Sequence, residues 1–429
     1  MSLFSGLTLS GRLDNKNDVN ANILKLKDKP DSNLQMIHSL LCQGDTIEYL
    51  QNFLVSGSYV QENYEVLKHY ISFSMGKCPI LVFHHKTPIR DNIIAWHSEK
   101  NANVPLFCND AITVVFEPFL SMQSEQIVNA LYRIAKKMEF QVTSHYNTIV
   151  RSHLKILELA GEQVCLSGLY KLCKIESIRD FYAYVRSLKS PVIAEQVLSS
   201  MGLDKEGHME QYQLFRNVIF SMAYELEQSG WSSDANAERV NCLTIKKYES
   251  QQAPILLCSI EDTCSRVFFT YLAEEMKGMS DHDFVLILDN IRFDDEDFLQ
   301  YLMHPGTNCR YGIIGENLPA MVVVKQENAF AQLAEHIDIF LLLKHRTAEA
   351  AKPFSELIGN FDAMLLHTTR GNSQDNTAII KRNLQESNQV IVQNRYRIMP
   401  EYLIDLDYRT VCVFDTGTNE IHFMTLKPK

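Results

Sequence analysis

The chain has 429 residues, of which 46% are hydrophobic and 22% are charged, and its formal net charge is −11. This length fits a large domain that carries an insertion or a second domain, and the composition excludes wholesale disorder and a fibrous repeat. The negative charge argues against a broad nucleic-acid-binding surface, because phosphate binding needs a local excess of Lys and Arg, but it leaves room for a local basic loop.

The sequence carries no signal for a membrane or for export. No apolar run reaches 18 residues, and the first residues lack the basic and apolar segments of a signal peptide. The ten cysteines are scattered singly, without a Cys-x-x-Cys pair or Cys/His ligand spacing, which is typical of buried reduced thiols. We therefore expect a cytoplasmic protein with no integral membrane segment.

The first half of the chain changes character near residue 120. Short apolar runs at residues 80–85 and 111–116 predict buried strands of a parallel sheet. From residue 121 to about 230, apolar residues recur at spacings of three and four, which predicts an all-helical block.

After this block, strand and helix patterns alternate again. The predicted strands cover residues 255–260, 284–288, 320–325, 337–343 and 363–368, the predicted helices cover 263–279 and 295–302, and a hairpin closes the chain at 410–426. We expect the segments around positions 80, 115, 257, 286, 340 and 365 to lie in a single central sheet, covered by helices on both faces. The predicted domains are residues 1–118 and 236–429, the two parts of an α/β domain, with an inserted all-α domain at 119–235.

The sharpest local motif is an apolar strand that ends in an acid. Residues 284–288 are apolar and lead into Asp289 and Asn290. In P-loop NTPases a carboxylate in this place holds the Mg²⁺ shell, and a second acid often activates water. An amide at Asn290 cannot take a proton from water. Any buried parallel strand that ends in Asp also fits the pattern.

A phosphate loop should accompany this strand, and the chain contains no intact G-x-x-x-x-G-K-[ST]. Residues 6–13 keep the spacing of Gly6 and Gly11, but Arg12 replaces the lysine and Leu13 the Mg²⁺-binding hydroxyl. Chance glycine spacing explains these residues as well. Lys86 and Thr87 form a second partial match that lacks the glycines.

The order of the later motifs resembles the C-terminal half of the type IV coupling proteins of conjugation, in the FtsK/HerA superfamily of DNA-pumping ATPases. An arginine-bearing segment (308–312), an apolar run ending in Gln326, an apolar strand near 340, a segment starting at Arg346 and a late R-x-R-x-x-P stretch follow Asp289 in that order. The resemblance implies an α/β fold, with a RecA-like P-loop NTPase core, a mostly parallel central sheet and an inserted all-α domain.

The resemblance also implies roles for individual residues. Asp289 matches the Mg²⁺ aspartate, Gln326 a sensor glutamine, and Arg310 or Arg346 an arginine supplied to a neighbouring subunit. Gly6, Gly11 and Arg12 would contact the phosphates of ATP. The implied assembly is a ring of identical subunits acting on DNA or secretion-system proteins.

Two functions follow from these signals. The first is a coupling-protein-like or HerA-like NTPase with a degenerate site and weak or absent ATP hydrolysis. The second is a non-catalytic adaptor or scaffold in a secretion or mobile-element assembly.

Two charged segments have competing interpretations. Residues 294–297 are all acidic, which fits a metal cluster but also the start of a helix, whose free N–H groups favour acids. Residues 381–397 are basic, which fits a nucleic-acid or partner surface and equally a solvated helix face.

Overall fold

The computed structural model describes residues 23–25, 30–58, 64–99, 103–109, 114–205, 207–233, 238–248, 252–261, 265–373 and 383–426. The chain forms two compact units, a larger one of Leu34–Ile339 and a smaller one of Met1–Asn33 with Phe340–Lys429.

The strands, in chain order, are β1 (Ile23–Lys25), β2 (Phe53–Ser56), β3 (Ile80–His84), β4 (Leu106–Cys108), β5 (Val114–Phe116), β6 (Glu238–Val240), β7 (Ile255–Ser259), β8 (Phe284–Asp289), β9 (Cys309–Gly315), β10 (Ile339–Leu342), β11 (Asn360–Ser373), β12 (Asn383–Tyr396), β13 (Thr410–Asp415) and β14 (Glu420–Thr425).

The α-helices are α1 (Pro30–Leu41), α2 (Tyr64–Ser74), α3 (Ile89–Glu99), α4 (Ser124–Lys137), α5 (Ser144–Ala160), α6 (Leu166–Cys173), α7 (Ile178–Arg186), α8 (Pro191–Met201), α9 (His208–Glu227), α10 (Cys242–Ile245), α11 (Ser265–Lys277), α12 (Glu296–Met303), α13 (Leu318–Met321), α14 (Ala329–Ala334), α15 (Ala348–Ile358) and α16 (Pro400–Ile404).

A parallel sheet forms the centre of the larger unit. Its strands lie in the order β2-β9-β8-β3-β7-β4, and each neighbouring pair is parallel. Every residue of β3 and β8 is buried, as expected for strands covered on both faces. The predicted α/β fold with a mostly parallel central sheet is confirmed, and positions 80, 257 and 286 lie in neighbouring strands.

The predicted helical block consists of α4 to α9. Gly161 and Gly202 end α5 and α8 in the left-handed conformation, with φ of 71° and 51°. Glycine adopts this conformation without the steric cost that a Cβ brings, so the chain can leave each helix abruptly.

The helical block is connected to the sheet through a separate two-stranded ribbon. Strand β5 enters the block, strand β6 leaves it, and the two pair in parallel outside the central sheet. The prediction that position 115 belongs to the central sheet was therefore wrong. Phe116 instead packs against Phe268 of α11, with ring centroids 5.3 Å apart, so its apolar character serves a helix contact.

A buried ion pair holds this ribbon to the block. Glu117 is fully buried and accepts hydrogen bonds from the backbone N–H and the hydroxyl of Ser167, at 2.8 and 2.7 Å, and from the guanidinium of Arg239. The same guanidinium donates to the carbonyls of Ser232 and Ser233, at 3.2 and 3.1 Å. Arg239 thus links the ribbon, the start of α6 and the chain leaving the block.

The smaller unit carries the predicted C-terminal hairpin. Strands β13 and β14 pair antiparallel, β1 pairs in parallel with β14, and β10 lies beside β13. Position 365 lies in β11, which pairs with β12 in a separate two-stranded sheet, so its predicted place in the central sheet was wrong. The nearby segment 383–396 provides an antiparallel partner at a smaller loop-closure cost than a distant parallel strand would.

The predicted strand at 320–325 was also wrong. Residues Leu318–Met321 form α13, because Pro319 suits the first turn of a helix, and Val323 is 41% exposed. Strand β9 fills the place beside β8 instead, with Ile314 opposite Asp289.

Candidate functional site

The carboxyl ends of the parallel strands meet at one edge of the sheet. Asp289 is the last residue of β8, with His84 of β3 opposite it on one side and Ile314 of β9 on the other. Ligands of open α/β sheets bind outside this edge, because the helices that follow the strands begin there. Asp289 therefore stands where a nucleotide site of this fold would lie.

The Asp289 carboxylate is buried and hydrogen-bonded. It has no exposed surface, and its Oδ2 accepts from the hydroxyl of Thr87 at 2.7 Å and from that of Tyr64 at 3.2 Å. Burial, followed by the charge of Asp289, raises the pKa of Tyr64 well above its usual range. The phenol is therefore a permanent donor at this edge.

Tyr64 and Thr87 each follow a strand of the sheet. Tyr64 is the first residue of α2, after β2, and Thr87 lies in the short connection between β3 and α3. A phosphate loop likewise joins a strand to the N-terminus of a helix. Both hydroxyls thus come from the kind of connection in which a P-loop places its Ser or Thr.

The sequence after β2 has the spacing of a phosphate loop without its chemistry. Residues 57–64 read Gly-Ser-Tyr-Val-Gln-Glu-Asn-Tyr. Aligned with G-x-x-x-x-G-K-[ST] from Gly57, Glu62 replaces the second glycine, Asn63 replaces the lysine, and Tyr64 replaces the Ser or Thr. Gly57 has a φ of 127°, which side-chain-bearing residues rarely adopt. Sequence reasoning missed this segment, and the signal that could have found it was a single glycine after the apolar residues of β2.

The second partial match to a phosphate loop consists of Lys86 and Thr87, and Thr87 contacts Asp289. Thr87 bonds to the carboxylate, whereas the ammonium of Lys86 lies 3.2 Å from Glu261 and its side chain is 68% exposed. His85 is held by the carbonyl of Ile260, 2.8 Å from its Nδ1. The corner between β3 and α3 is therefore an ordered polar turn without a lysine directed at Asp289.

Asn290 serves as a connector at this edge. Its φ is 57°, its backbone N–H donates to the carbonyl of Ile314 at 2.8 Å, and its amide donates to the carbonyl of His85 at 3.1 Å. These bonds fasten the loop after β8 to both neighbouring strands. The amide of the Asn290 side chain is therefore engaged in a hydrogen bond to the backbone.

The other residues predicted for the site lie elsewhere or outside the described residues. Gly6, Gly11 and Arg12 are not among the described residues. Gln326 lies in a bend, where its amide exchanges hydrogen bonds with Gln300 and Gln332. The structure therefore gives Gln326 the role of joining α12 to α14.

The two candidate arginines also differ in position. Arg310 is near the amino end of β9, the edge opposite Asp289, and donates to the carbonyl of Glu48 at 3.2 Å. Arg346 is exposed just before α15 in the smaller unit. Within the larger unit, the structure brings Asn290 to Asp289 and places Arg310 at the far edge.

Of the two interpretations of the acidic run at 294–297, the structure shows the start of a helix. Asp295 caps α12 by accepting from the N–H of Phe298 at 2.7 Å, and it also accepts from the Thr270 hydroxyl at 2.7 Å. Arg133 and Lys137 of α4 pair with the same carboxylate. Among the described residues, no group of three or more His, Cys, Asp or Glu side chains could hold a metal ion.

No family model matches this sequence, and no curated protein matches it. Among solved structures, the chain is similar to the bacterial conjugative coupling protein TrwBdeltaN70 in its trigonal form with sulphate, with a TM-score of 0.55 and 10% identity over 94% of this chain and 92% of that chain. VirB4 of Thermoanaerobacter pseudethanolicus has a TM-score of 0.49 and 8% identity over 88% and 89% of the two chains.

The similarity to TrwBdeltaN70 shows that the chain has the RecA-like fold of a conjugative coupling protein, as the motif order suggested. Plasmid coupling protein TrwB has also been solved in complex with ADP and Mg²⁺, and that structure matches at a TM-score of 0.44 and 9% identity over 83% of this chain and 86% of that chain. In the described part of the chain, no helix is long and apolar enough to cross a membrane.

Proposed function

We propose that this chain is a coupling-protein-like P-loop NTPase homologue that takes part in DNA or protein transfer and hydrolyses ATP weakly or not at all. The RecA-like fold supports the assignment to the P-loop NTPase homologues. The observation that carries the loss of hydrolysis is the hydrogen bonding of Asp289, whose Oδ2 accepts from two hydroxyls within the protein.

A magnesium ion fits these residues poorly. Mg²⁺ takes six oxygen ligands in near-ideal octahedral geometry and keeps several waters. Asp289 has no exposed surface, and the bulky ring of Tyr64 stands where a P-loop has the small Ser or Thr that ligates the ion. Asp289 is therefore not arranged to hold a catalytic magnesium ion.

The groups that would stabilise a transferring phosphoryl are also absent from residues 57–64. Asn63 brings no positive charge where a P-loop has its lysine, and Glu62 adds a negative charge where the second glycine would be. Removing one stabilising donor from an enzyme site costs about 3 kcal/mol of transition-state stabilisation. Several such losses together leave little hydrolysis.

The test is ATP turnover by the full chain. We expect phosphate release with MgATP to be the same for the wild type and for Asp289→Asn. Asp297→Asn, at a carboxylate with a 62% exposed side chain, is the matched control for an Asp to Asn change away from the sheet edge. Mg²⁺-dependent turnover that Asp289→Asn abolishes and Asp297→Asn leaves intact would contradict the proposal.

The second candidate is a non-catalytic adaptor, and the use of Asp289 as an internal acceptor favours it too. The two candidates differ in nucleotide binding. A fluorescent ATP analogue that binds without being hydrolysed supports the NTPase homologue. No binding, together with capture of a purified transfer-machinery protein, supports the adaptor.

A ring of identical subunits belongs to the first candidate. Of the two arginines proposed to act on a neighbouring subunit, Arg346 is exposed, while Arg310 is partly covered and bonded to backbone carbonyls. Sedimentation velocity with and without the ATP analogue tests the ring. Sedimentation as a monomer at all concentrations would count against it.

A further inference from the structure

The helical block is joined to the central sheet through two segments of the chain that are hydrogen-bonded to each other. We call them the neck: residues 117–123, which lead into α4, and residues 238–245, which form β6 and α10. The backbone N–H of Glu117 donates to the carbonyl of Val240 at 2.8 Å, and the Asn241 amide donates to the carbonyl of Leu120 at 2.7 Å. Both covalent connections of the block to the sheet therefore run through the neck.

The entering segment of the neck is held in a strained conformation. Phe119 and Ser121 have φ of 69° and 64°, in the left-handed region that residues with a side chain adopt at a cost. A bulky residue is especially rare there, and Phe119 has no exposed surface. The tertiary contacts of the neck therefore hold this turn against the preference of its own backbone.

Tyr271 of α11 contacts both segments of the neck. Its ring meets that of Phe119 edge-on, with centroids 5.3 Å apart, and its hydroxyl lies 3.5 Å from the amide nitrogen of Asn241. The same hydroxyl donates a hydrogen bond to Glu275, one turn further along α11. Glu275 is thus one hydrogen bond away from the side chain that packs on the strained turn.

The surroundings of Glu275 suit a neutral carboxyl group better than a charged one. Its Oε1 accepts from the N–H of Leu243 in α10 at 3.3 Å, while its buried Oε2 has no hydrogen-bond partner among the described residues. The neighbouring Glu274 instead pairs with Arg133 and Lys277, at 2.7 and 2.6 Å. An ionised Glu275 would therefore keep a charged oxygen away from water without a compensating cation.

The other titratable groups near Glu275 belong to tyrosines and cysteines. They are the hydroxyl of Tyr271 on the same helix and the thiol of Cys242 on α10, with Cys258 of β7 and Tyr301 of α12 close to that thiol. Burial raises the pKa of Tyr271 and of Cys242 well above the usual range, whereas it raises the pKa of Glu275 to about 7. Of these three groups, only Glu275 changes its charge below neutral pH.

We propose that the neck is a pH-sensitive hinge, in which ionisation of Glu275 favours separation of the two segments and entry of water to the carboxylate. Water reaches Oε2 only when the covering groups move, and these include Cys242 and Leu243 of α10, which contact the carboxyl group. The strain at Phe119 favours the same movement, because an opened neck lets the turn leave the left-handed region.

The direction of the pH effect follows from the two states of the neck. The closed neck holds the proton of Glu275 up to about pH 7, whereas an opened, hydrated neck releases it near the ordinary pKa of 4.5. Opening therefore becomes easier as the pH rises from 4.5 to 7 and changes little above that range. This inference does not depend on nucleotide binding or on the proposed role in transfer.

The test is hydrogen–deuterium exchange of the full chain, read by mass spectrometry at pH 5 and pH 7 and corrected for the intrinsic pH dependence of exchange. Peptides from the neck should lose at least about tenfold in protection between these pH values. Peptides from α7, whose local opening does not expose Glu275, should show no such loss. Low urea, about 1 M, should leave exchange in the neck nearly unchanged while it speeds exchange in β3 and β8, because a local opening exposes little surface.

Two variants tie the effect to the proton. Glu275→Gln should keep the protection of the neck at pH 7 as high as at pH 5, and the matched control Glu158→Gln, at an exposed carboxylate, should behave as the wild type. Tyr271→Phe keeps the ring on Phe119 but removes a hydrogen bond that lowers the pKa of Glu275. In this variant, protection of the neck should continue to fall between pH 7 and pH 8, where the wild type levels off.

Either of two results would overturn the inference. One is exchange in the neck with the same protection and the same urea dependence as in β3 and β8, which would mean that only global unfolding exposes Glu275. The other is a pH-dependent loss of protection that Glu275→Gln leaves in place. Neither result bears on the proposed nucleotide site, which is judged by ATP turnover.

Discussion

Glu275 is a carboxylate without exposed surface in the core of the larger unit. It lies on α11 and accepts a hydrogen bond from the backbone N–H of Leu243 at 3.3 Å. Burial raises the pKa of Glu275 to about 7, and hydrogen bonds from Tyr271, from Leu243 and from Cys242 offset part of that effect. The folded protein therefore holds a proton at Glu275 in a pH range where the unfolded chain has released it.

The sign of the effect on stability follows from this difference. Below about pH 4.5 both states carry the proton and burial costs little, whereas above about pH 7 folding requires a buried negative charge. Stability thus falls as the pH rises from 4.5 to 7. Between pH 5 and pH 8 the loss amounts to about 2.5 kcal/mol, at 1.4 kcal/mol for each pH unit spent between the two pKa values.

Glu275→Gln removes the titration while keeping the shape of the side chain. We expect the free energy of unfolding of this variant, relative to the wild type, to rise by about 2.5 kcal/mol between pH 5 and pH 8. Urea unfolding followed by circular dichroism at both pH values measures the difference. Glu158→Gln, at an exposed residue, is the control and should show no such change. A Glu275→Gln variant that tracks the wild type at both pH values would refute the reasoning.

Three further changes test the fold that positions the candidate site. Arg239→Met leaves the buried Glu117 carboxylate without its cation and should lower the free energy of unfolding by about 3–5 kcal/mol, with partial recovery in Arg239→Lys; an unchanged urea midpoint would show that the pair contributes nothing. Asn290→Ala removes the hydrogen bond from the side-chain amide to the carbonyl of His85, at a residue whose φ is 57°, and should lower the free energy of unfolding by about 1–3 kcal/mol. Thermal unfolding measures this loss, and a wild-type melting temperature would contradict the connector role. Gly312→Ala places a Cβ against the Phe53 ring and should cost about 1–3 kcal/mol by urea unfolding, with Phe53→Leu restoring stability; a silent Gly312→Ala would mean that β2 and β9 can separate.

The sequence by itself determined the class of fold. Continuous apolar runs such as residues 80–84 and 284–288 predict strands buried on both faces, and the structure has β3 and β8 there as neighbours. The three- and four-residue spacing between 121 and 230 predicted helices, and the block contains them. These patterns are local, because each residue's burial repeats with the period of its own element.

Pairing between distant segments was decided only by the tertiary structure. The apolar residues near 115 and 365 have strand patterns, yet one joins a ribbon with β6 and the other a hairpin with β12. The run at 320–325 is equally apolar, and β9 nevertheless takes the place beside β8. A strand pattern predicts that a segment is extended, but it does not predict which strand the segment pairs with, because pairing depends on which backbone groups of the chain meet.

The candidate site shows the same division. Asp289 stood out in the sequence because it ends an apolar strand, but its partners Tyr64 and Thr87 are 225 and 202 residues away along the chain. No spacing rule links them. They meet because β2, β3 and β8 run in parallel within one sheet, so that the connections after these strands come together at its carboxyl edge.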